Sequence, residues 1–144
     1  MNRLFILFAL FMIPAVLMAQ GKNKTLSKKR VKFGENFVEA VNDHDSKKII
    51  KMCDESYRRD QMKLLGNNEE QFLEELLSGI DEDSKEYVSV ELDNIEKFEL
   101  VEIDHEEVDG VLYQFMIHSG GREVLVTLIL TVNGKSYGFL GAAG

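Results

Sequence analysis

Hydrophobic and polar positions follow three rules in turn along this 144-residue chain. Leu4 to Met18 is almost wholly apolar and has no period. From Phe33 to Ile80 the apolar positions return every three or four residues, the repeat of one helix face. After Glu86 they return at every second residue, the repeat of a strand buried on one side. The pattern predicts a leader, then helices, then an antiparallel β-meander: an α+β chain.

Phe33, Phe37, Ala40, Val41 and His44 share one face of the first predicted helix. The stripe stops at Asn42-Asp43-His44-Asp45. Asp45 or Ser46 then caps a second, short helix that carries Ile49, Ile50 and Cys53. Residues 57–66 read as helix or loop. Asn67 or Asn68 caps a further helix with the face Phe72, Leu73, Leu76, Leu77 and Ile80. Glu69 and Glu70 fall in its first turn, where the helix dipole favours acids. Gly79 fits its C-terminal stop.

Strands follow at Val88–Leu92, Lys97–Val108, Val111–His118, Arg122–Val132 and Lys135–Leu140. Asp109-Gly110, Ser119-Gly120-Gly121 and Asn133-Gly134 separate the last four, and Asp-Gly and Asn-Gly are strong hairpin signals. Two-residue loops would pair 108 with 111 and 132 with 135. A three-residue loop would pair 118 with 122. That register places His105, Gln114, Val126 and Phe139 in one row, flanked by Ile103, Met116, Val124, Leu112, Leu128 and Tyr137, facing the helices. His105 and Gln114 would be directly opposed. Such a polar pair on an apolar face must be hydrogen-bonded, or it costs on the order of 1–3 kcal/mol. The opposite face would carry Tyr113, Phe115, Ile117, Leu125 and Ile129. An apolar exposed face of that size predicts a homodimer through it, unless a β-bulge shifts the facing.

Charge narrows the choice of partners. The net charge of −8 and the pI near 4.9 argue against nucleic acid, whose binders are usually basic. Met1-Asn2-Arg3, the apolar run and Ala19 have the order of a secretory signal, with cleavage after Ala19. The run is short for a membrane span, which needs roughly 20 residues. Residues 20–32 read as a disordered basic linker; 22–32 hold six basic residues and no acid. Contact of this arm with an anionic membrane surface is the alternative. Residues 33–144 then form a single domain, exported to the periplasm or beyond.

Chemical motifs are few. Cys53, the only cysteine, is predicted to be a small buried hydrophobe, with intermolecular pairing as the alternative. Asp81-Glu82-Asp83 invites calcium but lacks the glycine and distal glutamate of a helix–loop–helix calcium loop. His44, His105 and His118 have no zinc-motif spacing. Ser56, Ser78, Ser89 and Ser119 lack a nucleophile-elbow context. No metal and no cofactor are predicted.

Two segments carry a family resemblance. Phe33–Asp45 (FGENFVEAVNDHD) looks like the opening helix and corner of the nuclear transport factor two-like superfamily. Glu123–Phe139 looks like its closing hairpin, with Tyr137 where the family usually has Trp. The chain resembles in particular the small exported lumazine-binding-like branch. The resemblance implies a curved sheet wrapped around a long helix to form a cone with a pocket. It places Tyr57 near the mouth, lining the pocket or filling the core. The isomerase branch is similar to a recipe with Tyr on the first helix, and that Tyr is missing here.

Two function classes follow. One is an exported, non-catalytic module that binds a small apolar or aromatic molecule or another envelope protein. The other is a small isomerase- or dehydratase-like enzyme with His105 as general acid–base, beside Gln114 and Tyr137. A duller possibility beside both is a structural protein with its pocket packed shut by Phe139, Met116 and Phe72.

Overall fold

The computed structural model describes residues 24–106, 110–133 and 136–142. The leader, 1–19, lies outside them. Helix α1 is Lys24–Asn42, so residues 24–32 are helical where a disordered linker was expected. Nothing between Lys22 and Phe33 breaks a helix, since the stretch lacks Gly and Pro and is rich in Lys and Arg, which are good helix formers. The described residues divide into two units, 24–33 and 34–142.

Three side-chain caps start the next three helices. Asp45 Oδ1 accepts from Lys48 N at 3.1 Å and opens α2, Ser46–Lys51. Asp54 Oδ1 accepts from Tyr57 N at 3.0 Å and opens α3, Glu55–Leu64. Asn68 Oδ1 accepts from Gln71 N at 3.1 Å and opens α4, Glu69–Leu76. Each cap satisfies an N–H that the first helical turn leaves without a partner.

Helix α4 stops three residues before the expected glycine. Ser78–Asp81 is instead a strand, β1. Gly79 is the reason: a Cβ there would collide with the Leu125 carbonyl. The glycine serves a close strand contact rather than a helix stop. Next come β2 (Tyr87–Ser89), a 3₁₀ turn at Leu92–Asn94, β3 (Lys97–Glu106), β4 (Gly110–Ser119), β5 (Arg122–Asn133) and β6 (Ser136–Ala142). The six strands form an open, curled antiparallel sheet in the order β2-β1-β5-β4-β3, with β6 also on β5. Helices pack against it, and the fold is α+β.

Register corrects the expected facing. Gly120 and Gly121 both have positive φ, +56° and +76°, the demand of a two-residue hairpin turn. Ser119 therefore pairs with Arg122 and His118 with Glu123. The slip is one residue, so all of β4 turns over. Tyr113, Phe115 and Ile117 have no exposure and belong to the core. They cannot form the docking face assigned to them. Leu125 and Ile129 do lie on the face away from the core, partly exposed, with Leu112, Gln114 and Met116. On β3 a bulge between Leu100 and Glu102 intervenes, and Glu106 pairs with Gly110. His105 consequently pairs with Val111, and Gln114 pairs with Glu102 and Thr127. The His105–Gln114 pair does not exist.

The space between α1 and the sheet is filled by aromatic rings. Phe37 meets Phe139 at 4.8 Å, Phe115 at 5.3 Å and Phe98 at 5.7 Å between centroids. Phe98 stacks on Phe115 at 4.9 Å. Tyr113 meets Phe139 edge-on at 5.3 Å. Gly34 lets α1 approach, because Tyr113 Cε1 would stand 3.0 Å from a Cβ there. Phe72 and Phe139 are buried, as the packed-pocket alternative had them. Met116 is not, because the β4 slip moves it to the other face.

Candidate functional site

Strand β5 has three neighbours and only two edges. Along one edge it pairs with β4 throughout. Along the other it pairs first with β1, at Val124 and Leu125, and then with β6, from Leu128 to Asn133. The sheet divides where β5 changes partner, and β1 and β6 diverge from there. A cleft of about 510 Å³ opens at this division.

Helix α3 supplies the far wall and is fixed to β6 by its own cap. Phe139 N donates to Met52 O at 3.0 Å, and Asp54 N donates to Phe139 O at 2.8 Å. Asp54 then caps the helix through Tyr57 N. The Tyr57 ring reaches over to Phe72, 5.9 Å between centroids. Its hydroxyl lies over Gly141, where a Cβ would stand only 2.5 Å from Oη. Gln61, one helical turn on, lines the same wall.

The opposite wall comes from the β1–β2 hairpin and the end of α4. Ser78 and Ser89 face each other across the hairpin, and so do Ile80 and Tyr87. Ser78 Oγ contacts Glu75 O at 2.5 Å and Tyr87 Oη at 2.6 Å. A serine has one proton and a carbonyl only accepts. Ser78 therefore donates to Glu75 O, and Tyr87 donates to Ser78. The Tyr87 oxygen keeps its lone pairs. Leu140 of β6 completes the rim.

Burial pushes the Tyr57 phenol up to about 12, and the neighbouring Cys53, Glu75 and Tyr87 add to the rise. Tyr57 therefore stays neutral, with its proton, across the physiological range. Burial likewise pushes the Cys53 thiol up to about 12, and its Sγ lies 3.8 Å from Ile49 O. Cys53 is a buried, free, protonated thiol. That is the environment of a packing residue and not of a nucleophile.

Of the four residues expected at a site, Tyr57 lines the cleft. Gln114 lies on the sheet face away from the aromatic core. His105 and Tyr137 pair in the backbone with Val111 and Val132, and their side chains lie outside the described residues. Tyr87, Gln61, Glu75 and Leu140 were not foreseen. The signal for Tyr87 was a short strand at 78–81, which would have paired it across a hairpin with Ile80.

A second groove, about 410 Å³, is lined by Glu69, Glu70, Glu74, Glu91 and Asp93, with His44 beside them. It has no aromatic wall. The His44 Nε2 is engaged by Ile95 O at 3.0 Å. Asp81, the first of the three acids that suggested calcium, is committed to its own turn. Its Oδ1 accepts from Asp83 N at 2.9 Å and Ser84 N at 3.1 Å, and these bonds hold its carboxyl below the usual range. No family model, curated protein or solved structure matches this chain.

Proposed function

We propose that this chain is an exported, non-catalytic binding module that takes a small molecule in the cleft between Tyr57 and Tyr87. One observation carries the reading. Among the described residues five large apolar side chains are exposed, and two of them, Tyr87 at 53% and Leu140 at 39%, stand on the rim of this one cleft. Apolar surface left in water beside a concave, partly polar wall is the usual signature of a ligand site. The apolar run of residues 1–19 supports export.

The enzyme reading loses its geometric basis with the His105–Gln114 pair, since a general base needs a positioned partner. A second reading keeps one observation. The sheet face away from the core carries Leu112, Met116, Leu125 and Ile129, all partly exposed, and a second copy of the chain would cover it.

Native mass spectrometry of the protein purified from its own host tests both. The expected result is a non-covalent adduct that is lost on denaturation and is absent from a Tyr57→Ala, Tyr87→Ala double variant. A bare polypeptide mass in every preparation overturns the ligand reading. A monomer at every concentration overturns the second copy.

A further inference from the structure

We infer that the ligand of this cleft is an organic cation, an alkylammonium group held against the two tyrosine rings beside Glu75. The inference rests on the binding-module reading and names the ligand class. Three features of the cleft point the same way.

First, among the described residues its walls hold two aromatic rings and one carboxylate, and no Lys, Arg or His. A cation over a tyrosine face is attracted by the ring quadrupole, and more strongly once it is desolvated. Second, the Tyr87–Ser78 pair turns only acceptor lone pairs toward the cleft, beside the Tyr57, Ser89 and Gln61 groups that can also donate. Tyr87 spends its proton on Ser78, and Ser78 spends its own on Glu75 O. The Glu75 carboxylate is exposed and in no ion pair among the described residues. Third, the whole chain carries −8. An anion would have to enter against that field and sit beside Glu75. A neutral molecule would gain the ring contacts but no charge attraction from the carboxylate.

The test uses choline and its neutral isostere 3,3-dimethylbutan-1-ol, which match in shape and differ in charge. The chain has no Trp and four Tyr, and two of them, Tyr57 and Tyr87, line the cleft, so tyrosine fluorescence responds to binding there. Choline is expected to bind about tenfold more tightly than the isostere, the ratio that roughly 1.4 kcal/mol provides. Glu75→Gln lowers choline affinity about fivefold and leaves the isostere unchanged. Glu74→Gln, one residue away in the other groove, removes the same charge and changes neither. Tyr87→Leu, at an exposed rim position, weakens choline as well.

Equal binding of choline and the isostere overturns the cation class and leaves the binding module standing. Equal effects of Glu74→Gln and Glu75→Gln reduce the preference to net charge and also overturn it. Binding of neither probe overturns the cation class too, and the adduct measurement then decides the underlying reading on its own.

Discussion

At Gly138 the absence of a side chain decides where helix α3 begins. A Cβ there would stand 2.7 Å from both Asp54 N and Asp54 Cα. Both are backbone atoms and cannot swing aside as the end of a long side chain does. The approach is needed because Asp54 N bonds to Phe139 O next door. Gly141 does the same for the Tyr57 hydroxyl, and its φ of +105° disfavours any other residue. We expect Gly138→Ala to lower stability by roughly 1–3 kcal/mol, the usual cost of overpacking. The measurement is urea unfolding followed by circular dichroism. Unchanged stability would mean that the Met52–Asp54 bridge to β6 is looser than its hydrogen bonds imply. The same residues explain why Tyr57 was legible only in part. Its helical position follows from the Asp54 cap, but its place over Gly141 depends on a contact about eighty residues away in sequence.

At the scale of elements, one side chain joins the end of α1 to the start of β3. Asn42 Nδ2 donates to Phe98 O at 2.9 Å, and Phe98 N donates to Asn42 Oδ1 at 2.8 Å. The amide imitates a neighbouring strand and holds Phe98 where its ring meets Phe37. Asn42→Ala is expected to cost about 1–2 kcal/mol, one hydrogen bond or slightly more, because the site is partly open to water. A thermal melt checks this, and a variant as stable as the parent would show that water replaces the amide fully. The elements themselves were largely legible, because caps and hairpin glycines act locally. Asp45 and Asn68 cap as their positions suggested. Facing was not legible, because it depends on counting. Ser119-Gly120-Gly121 reads equally well as a two- or three-residue turn, and only the former gives both glycines positive φ. That single residue moved Tyr113 and Phe115 from an outer face to the core. On β3 the Glu106–Gly110 pairing shifts the register by an odd count and reverses the facing again, so Ile103 came back to the side first assigned to it. The β5–β6 turn slipped by an even count, so Phe139 stayed inside.

For the whole molecule, the site exists because β5 exchanges one neighbour for another, and no local pattern announces that exchange. Ser78–Asp81 reads as the end of a helix until Leu125 stands beside Gly79. The wall built there also sets the response of the fold to alkali. Cys53 and Tyr57 lie four residues apart on either side of the Asp54 cap, and burial raises both. In the unfolded chain the thiol ionises near 9.0 and the phenol near 10.0, whereas in the folded chain both hold their protons to about 12. A raised folded value means that the unfolded state loses protons first. Stability is then full below pH 9 and falls as pH rises from about 9 to 12. At the other end the carboxyls of Asp81, held by backbone N–H groups, and Glu99, held by Lys97 and His118, are lowered. Their contribution is present above the usual carboxylate range and fades as pH falls through and below it. The melting temperature should therefore form a plateau with two shoulders. Cys53→Ala separates the alkaline pair: it removes the group that ionises first, so the alkaline shoulder should move up from about pH 9 to about pH 10, with the acid shoulder unchanged. Melts from pH 3 to pH 12 measure both. An alkaline shoulder that stays at pH 9 in Cys53→Ala would mean that the thiol is not what the folded wall protects.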